Sequence, residues 1–527
     1  MLRSRARRSC VAVFVVMAGA WVVVHGQNPA ITGFSVTEGL GNPAADSGAL
    51  NGQYRSVAAN GMTLAHGALT TAMAIETRMG SAGVRYARGR ILVKFREGAS
   101  APPDSVRPDY ADFNLVTIDP NEDAEAVASA YRDRDDVEYA QPAYVMRPTM
   151  VPNDPRYKEL QWNFPLIDIE RAWDIQPQAG SNITVAVIDT GMAYTNATIT
   201  TNILGFRNEK GTYPPMQNVT IPYSAATQLV TPGRIVAPHD FVNNTSTPLD
   251  FEGHGTHVAG TIGQLTNDNI GTAGIAFNVK LMPLKVICND WDVLFGTPAS
   301  RCGTDDEVAQ AIRYAADNGA KVINMSIGRD SPAGCGTNRN QPGCAPAIED
   351  AMNYAVGKGV FISIAGGNEF NDGNPTQVPA EIASRIRGAV SVASIDISKN
   401  RASYSSTGSW IELAAPGGGG GDNDTGFVWQ QTFDFRFTDT FDLPPSQYRA
   451  PRFDVLAYIG EAGTSMAAPH VSGVAAMLIQ QGITSPAAVE DALEKSAIDL
   501  GAKGRDDSFG FGLIDARNAL FGLGLAK

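Results

Sequence analysis

Three residue types that together can open an acyl bond stand far apart in this chain. Ser465 lies in Gly463-Thr464-Ser465-Met466-Ala467-Ala468-Pro469-His470-Val471, between a glycine turn and an apolar, alanine-rich run. Ala467, Ala468, Val471, Val474, Ala475, Leu478 and Ile479 recur at helical spacing, so Ser465 falls at the start of a buried helix. Unpaired backbone N–H groups there favour negative charge developing nearby. A lone serine at such a place is ordinarily a cap, and a catalytic reading needs a base and an orienting carboxylate from elsewhere. His254, in Gly253-His254-Gly255-Thr256-His257-Val258-Ala259-Gly260, opens a second apolar helix and is the candidate base. Asp189 ends the run Ile183-Thr184-Val185-Ala186-Val187-Ile188-Asp189 and is the candidate carboxylate, although an Asp after a strand is commonly a turn former. The division follows the chemistry: a hydroxyl attacks only when a base accepts its proton, and an imidazole near neutral pH can take and return it. Zinc is the competing use of the histidines, but a three-residue spacing without a nearby Glu fits neither H-E-x-x-H nor a finger. His257 suits a packed structural role. The elbow G-x-S-x-G is not matched, because Ala467 stands where its last glycine would be.

The elements around these residues predict an α/β fold. A continuous β-branched run such as 183–188 is what a strand buried on both faces of a parallel sheet looks like, and sites gather at the carboxyl ends of such strands. Val322-Ile323-Asn324-Met325-Ser326-Ile327-Gly328 and Val360-Phe361-Ile362-Ser363-Ile364 read the same way. Upstream, Ile91–Phe95 and Phe113–Ile118 alternate as strands, 121–134 carries a helix stripe through Ala124, Val127, Ala128 and Tyr131, and 137–139 and 143–146 read as two short strands. That is a small α+β unit, joined to the rest through Pro148, Pro152 and Pro155.

With 527 residues, more than one unit is expected. Four arginines between Arg3 and Arg8, an apolar stretch from Val11 to Val24, and Gly26-Gln27 after it read as a secretory signal, too short to span a bilayer. Export to the extracellular space or periplasm follows, with no membrane partner after signal removal. A net charge of −13 argues against nucleic acid as a partner. Residues 27–88, rich in Gly, Ala, Ser and Thr, read as a loosely ordered leader. After the signal, Cys288, Cys302, Cys335 and Cys344 flank a helix expected over 307–318. Cys288 with Cys302 and Cys335 with Cys344 is the pairing taken here, although sequence leaves three connectivities open; with no C-x-x-C spacing, a thiolate metal site is the weaker alternative.

The order Asp189, His254, Ser465, with the three blocks that carry them, resembles the subtilisin-like serine proteases, the subtilases, from about Asn153 to Leu520. The resemblance implies a three-layer fold with a mostly parallel central sheet, over a catalytic domain at 153–527. It implies that Ser465 attacks the scissile carbonyl, His254 moves the proton and Asp189 orients the imidazole. Asn368, in Ala365-Gly366-Gly367-Asn368-Glu369, matches the family's oxyanion asparagine, paired with the backbone N–H of Ser465. Ser326, Ile327 and Gly328, with Ala365 and Gly366, match the segments that bind the substrate backbone and wall the S1 pocket. Pro379 matches a position often cis in the family.

The likeness to thermitase-like members further implies Ca2+, held by side chains of Asp154 and Asp268 and carbonyls of Leu265, Ile270 and Thr272. A further family aspartate is missing, and 192–238 is a longer, unmatched insertion in its place; a second family site at 239–244 has lost most of its carboxylates and is expected weak or empty. Another insertion, 417–458, carries Trp429, Phe433, Phe435, Phe437 and Phe441, and either packs on the body or edges the cleft. Residues 89–147 resemble an inhibitor-type propeptide of ferredoxin-like fold, cut away between Pro148 and Asn153, whose first helix is short or absent because Pro102, Pro103 and Pro108 oppose it. Little follows the closing segment 508–516, so no added C-terminal domain is expected. The expectation is a monomeric, secreted, self-processing serine endopeptidase acting on proteins and peptides, with its own propeptide as inhibitor. The alternatives are a serine esterase or transpeptidase using the same triad, and a binding protein with a blocked cleft.

Overall fold

The computed structural model describes residues 77–80, 85–103, 105–145, 150–332, 335–419 and 426–523. The expected signal, the leader up to residue 76 and the start of the expected cleavage stretch lie outside the described residues. The chain divides into two compact units between 148 and 149.

In the N-terminal unit, Arg85–Phe95 pairs antiparallel with Thr77–Met79, Asn114–Thr117 and Val137–Tyr144. Strand therefore begins inside the stretch read as leader, which lacks the alternation by which a strand is recognised. The two short strands expected after residue 136 are one strand, Val137–Tyr144. Among the described residues it pairs only with Arg85–Phe95, and an edge strand tolerates Pro142 because no ladder bond is asked of its missing N–H. The helix Ala124–Arg132 starts on Asp123, whose carboxylate accepts from Glu125 N at 3.0 Å. Its buried Ala124 and Ala128 close on Ile91, Val93, Val116 and Val137. No helix is found among the described residues between Phe95 and Asn114, as the prolines there require.

The second unit is built on seven parallel strands in the order His239–Asp240, Lys280–Lys285, Thr184–Asp189, Val322–Met325, Phe361–Ala365, Ala389–Ile395, Leu413–Pro416. Alternation along the Asp189 strand explains why it is apolar throughout. Val185 and Val187 enter one core, with Val258, Ile262 and Val474, while Ala186 and Ile188 enter the other, with Ile312, Ile348 and Met352. Helices His254–Gly263 and Thr464–Gln480 cover the first face, and helices Asp305–Asp317 and Pro346–Gly357 the second. The result is three layers with the candidate residues at the carboxyl ends of the strands.

The two insertions form one body. Ala197–Ile203 pairs with Met216–Tyr223, and Val428–Phe433 with Leu456–Glu461, as antiparallel ribbons. They meet where Phe206 stacks on Tyr213 at 4.3 Å and Tyr448 abuts Tyr213 edge-on at 5.0 Å, with Tyr213 donating to the Leu443 carbonyl. Phe433 and Phe453 are fully buried and Trp429 nearly so, so these rings pack into the body, while Phe435, Phe437 and Phe441 are half-buried. Bridges Cys288–Cys302 and Cys335–Cys344 are formed.

Candidate active site

Asp189 reaches the site because its strand runs to the sheet's carboxyl edge, and His254 because its helix starts directly over that edge. Gly255 permits the approach: a Cβ there would lie 2.3 Å from the Gly191 carbonyl oxygen and 3.1 Å from Asp189 Cβ. His254 Nδ1 stands 2.7 Å from Asp189 Oδ1, with Asp189 fully buried and His254 7% exposed. An Nδ1–H donated to the carboxylate leaves Nε2 as the basic nitrogen. Burial alone would lower the imidazole; the Asp189 carboxylate outweighs it, Glu461 and Glu252 add to it, and the net shift is upward.

This half of the site is braced from behind. Buried Asp250 accepts from Thr190 Oγ1 at 3.0 Å, Gly253 N at 2.8 Å, Thr256 N at 3.0 Å and Thr256 Oγ1 at 2.6 Å, fixing the strand end and the helix start to one carboxylate. Thr190 Oγ1 in turn accepts from Gly255 N at 2.9 Å. Lys285, 1% exposed, donates to the Thr190 carbonyl at 2.7 Å and to Asp292 at 3.0 Å. His257, fully buried, holds Nε2 3.1 Å from both the Val428 and Ile459 carbonyls, and burial keeps it down at about 3, so it is a neutral strut tying the helix to the second insertion.

Ser465 occupies the first turn of Thr464–Gln480, and its hydroxyl donates to the Ser326 carbonyl at 3.2 Å. Pro469 explains the reverse contact. It has no N–H for the carbonyl four residues back, so the Ser465 carbonyl is free of its helical bond and accepts from Ser326 Oγ at 2.7 Å. Asn368 Oδ1 accepts from Thr464 N at 2.9 Å and Thr464 Oγ1 at 3.0 Å, which turns Nδ2 outward as a donor. A Cβ on Gly463 would lie 3.5 Å from Asn368 Nδ2 and 3.6 Å from Ser465 N, so both donors border one space, and the glycine keeps it empty.

Ser326, Ile327 and Gly328 follow the strand Val322–Met325 directly, and Gly366 follows Phe361–Ala365, so both candidate substrate segments emerge side by side from adjacent parallel strands. Val378-Pro379 is cis. Reading the sequence missed Asp250, Thr190, Glu252 and Glu461. Asp250 carries a legible signal, an acid just before an apolar helix. Glu252 and Glu461 do not: each has one carboxyl oxygen buried with no partner, and burial pushes them up to about 8 and about 7.

For a cation, Asp154 is 3% exposed; its Oδ2 accepts from Asn267 N at 2.7 Å and its buried Oδ1 has no partner. Burial first, with the neighbouring Asp268 carboxyl, holds it up at about 6. Asp268 Oδ1 accepts from Ile270 N at 3.0 Å, and the Thr272 carbonyl accepts from Gln264 Nε2 at 2.8 Å. An orphaned, buried carboxylate oxygen beside a second carboxylate fits a hard cation. Among the described residues no three His, Cys, Asp or Glu side chains gather as a metal cluster, so any site here rests on two carboxylates and backbone oxygens.

Comparison with known proteins gives the same outline. The profile of the subtilase family, peptidase S8, matches residues 180–512, and that of the fervidolysin N-terminal prodomain matches 72–143. The chain is 29% identical over 449 residues to the thermophilic serine proteinase of Bacillus sp. (strain AK1), covering 82% of this chain and 88% of the relative. It is 31% identical over 347 residues to thermitase of Thermoactinomyces vulgaris, covering 65% and 92%. Among solved structures, a protease from Pseudoalteromonas arctica PAMC 21717 superposes with a TM-score of 0.51 at 26% identity, over 70% of this chain and 99% of that one.

Proposed function

The chain belongs to the subtilase family as a subtilisin-like serine protease with a fervidolysin-like prodomain, and on that premise we propose that it is a secreted endopeptidase working through Asp189, His254 and Ser465 by an acyl-enzyme. The contact that supports this best is the 2.7 Å approach of His254 Nδ1 to buried Asp189. A substrate strand pairing along Ser326-Ile327-Gly328 competes for the Ser326 carbonyl that the Ser465 hydroxyl now occupies. The displaced hydroxyl turns to His254 Nε2, which accepts its proton as Oγ attacks the scissile carbonyl. The oxyanion forms in the space bordered by Asn368 Nδ2 and Ser465 N, where donors are already aimed and no reorganisation is needed. Imidazolium then protonates the leaving amine, and water repeats the sequence on the acyl-enzyme.

Ca2+ bound by Asp154 and Asp268, with the carbonyls of Leu265, Ile270 and Thr272, would pin the segment at Asp154 to the 265–272 loop. The prodomain acts as intramolecular inhibitor until the chain cuts itself between Pro148 and Asn153. The curated relatives support export: one is named an extracellular protease, of Xanthomonas campestris pv. campestris. No helix among the described residues is long and apolar enough to cross a membrane.

The deciding experiment expresses the full chain and its Ser465→Ala variant and follows casein cleavage, ester hydrolysis and the size of the product. Casein cleavage with release of the prodomain, both lost in the variant, is the expected result. Ester hydrolysis without casein cleavage would replace the endopeptidase reading with an esterase.

A further inference from the structure

The two segments expected to flank the substrate residue before the scissile bond, P1, end on one buried side chain. Ser326-Ile327-Gly328 continues into the strand Arg329–Ser331, which pairs antiparallel with Thr376–Val378 so that Asp330 stands opposite Gln377. Gln377 is 3% exposed. A Cβ on Gly328 would lie 3.5 Å from Gln377 Oε1, and one on Gly367 would lie 2.5 Å from Gln377 Cγ. Gly328 and Gly367 therefore both face the Gln377 side chain, the first its amide oxygen and the second its stem.

Its orientation is set. Gln377 Nε2 donates to Asp330 Oδ1 at 2.8 Å, which leaves Oε1 as the group facing Gly328. A large apolar P1 side chain pressed against that oxygen would strip it of water and offer no donor in return. Local charge points the same way. Glu369, beside Asn368, lies close enough to Asp330 for the two carboxylates to repel each other. Arg329, next to Asp330 in the chain, is paired with Asp305 through two bonds of 2.9 and 2.6 Å.

We propose that Gln377, held by Asp330, is the floor of the S1 pocket and makes this enzyme prefer a P1 side chain tipped with a cationic donor, lysine foremost, over phenylalanine or leucine. The inference rests on the endopeptidase reading and names the substrate class of that same site. The pocket is shortened by the Gln377 stem, so the ammonium of an extended lysine meets Oε1 with Asp330 behind it.

The test measures kcat/KM of the processed enzyme on four fluorogenic peptides that differ only at P1, as Lys, Gln, Leu or Phe, with casein digestion in parallel. Lysine is expected to lead phenylalanine and leucine at least tenfold. Gln377→Gly should raise phenylalanine and leucine at least tenfold relative to lysine, and Asp330→Asn should lower lysine alone, mainly through KM. Casein cleavage with phenylalanine or leucine leading in the unmodified enzyme overturns this inference and leaves the endopeptidase intact, as does an unchanged ranking in Gln377→Gly. An enzyme that cuts neither casein nor any of the peptides overturns both.

Discussion

The two halves of the site are prepared to different degrees. On one side Asp189 and His254 are already in contact, buried, and tied through Asp250, Thr190 and Lys285 to strand and helix alike. On the other, the Ser465 hydroxyl rests on a backbone carbonyl of the candidate substrate segment, and Asn368 Nδ2 and Ser465 N border the space that the missing side chain of Gly463 leaves. The buried half holds charges and must not move, since an ion pair taken out of water loses its value with small displacements. On the proposed mechanism the open half receives a strand and an oxyanion, which calls for fixed donors and a Ser465 hydroxyl free to turn. Rigidity is spent where charge is stored, and freedom is kept where bonds change.

The sharpest way to break that contrast is to remove the moving part. Ser465→Ala should cut turnover of casein on the order of a millionfold and leave the prodomain attached, read by kinetics and by mass spectrometry of the purified chain. Asp189→Asn attacks the fixed half; the wrong tautomer of His254 should cost about ten-thousandfold in kcat with the fold retained, seen by kinetics alongside circular dichroism. Asn368→Ala removes one outward donor and should cost roughly a hundred- to a thousandfold in kcat, with KM nearly constant because the bond forms only in the transition state.

Three smaller effects sharpen the comparison. If His254 is the base it works only when neutral, and its pKa is raised, so kcat/KM should fall on acidification through a value above the ~6.5 of free imidazole. Glu461→Gln takes a negative charge from beside the imidazolium, and that limb should move to lower pH by less than about one unit. A chelator should touch neither half: it should lower Tm by several degrees in the unmodified protein and do nothing to Asp154→Asn, with kcat at 25 °C retained while the protein stays folded. An unshifted Tm would remove the cation from the account.

How much of this was legible follows from the range of the interactions. Asp189 could be found because a strand buried on both faces leaves an apolar run, and Ser465 and His254 because small and apolar residues recur at helical spacing behind them. The fall of the propeptide helix was legible in Pro102, Pro103 and Pro108, since proline acts locally. Glu252 and Glu461 were not, because what sets them apart is burial beside a histidine, and no sequence neighbour encodes it. Gln377 was hidden for the same reason, lying on a short strand paired across 47 positions with Asp330. The insertion 192–238 concealed its hairpins, whose alternating Thr and Ile residues have one face in water and whose aromatics pack on each other and on Tyr448 of the other insertion.

Pro469 has a consequence larger than one missing hydrogen bond. By releasing a carbonyl in the first turn, it lets Ser326 and Ser465 clasp each other twice, side chain to main chain in both directions. The Ser326 hydroxyl thus fastens the candidate substrate segment to the main chain of Ser465 before any peptide arrives, while the Ser465 hydroxyl can leave its carbonyl without undoing that bond. Peripheral loops can lengthen, as the two long insertions have, without resetting that alignment.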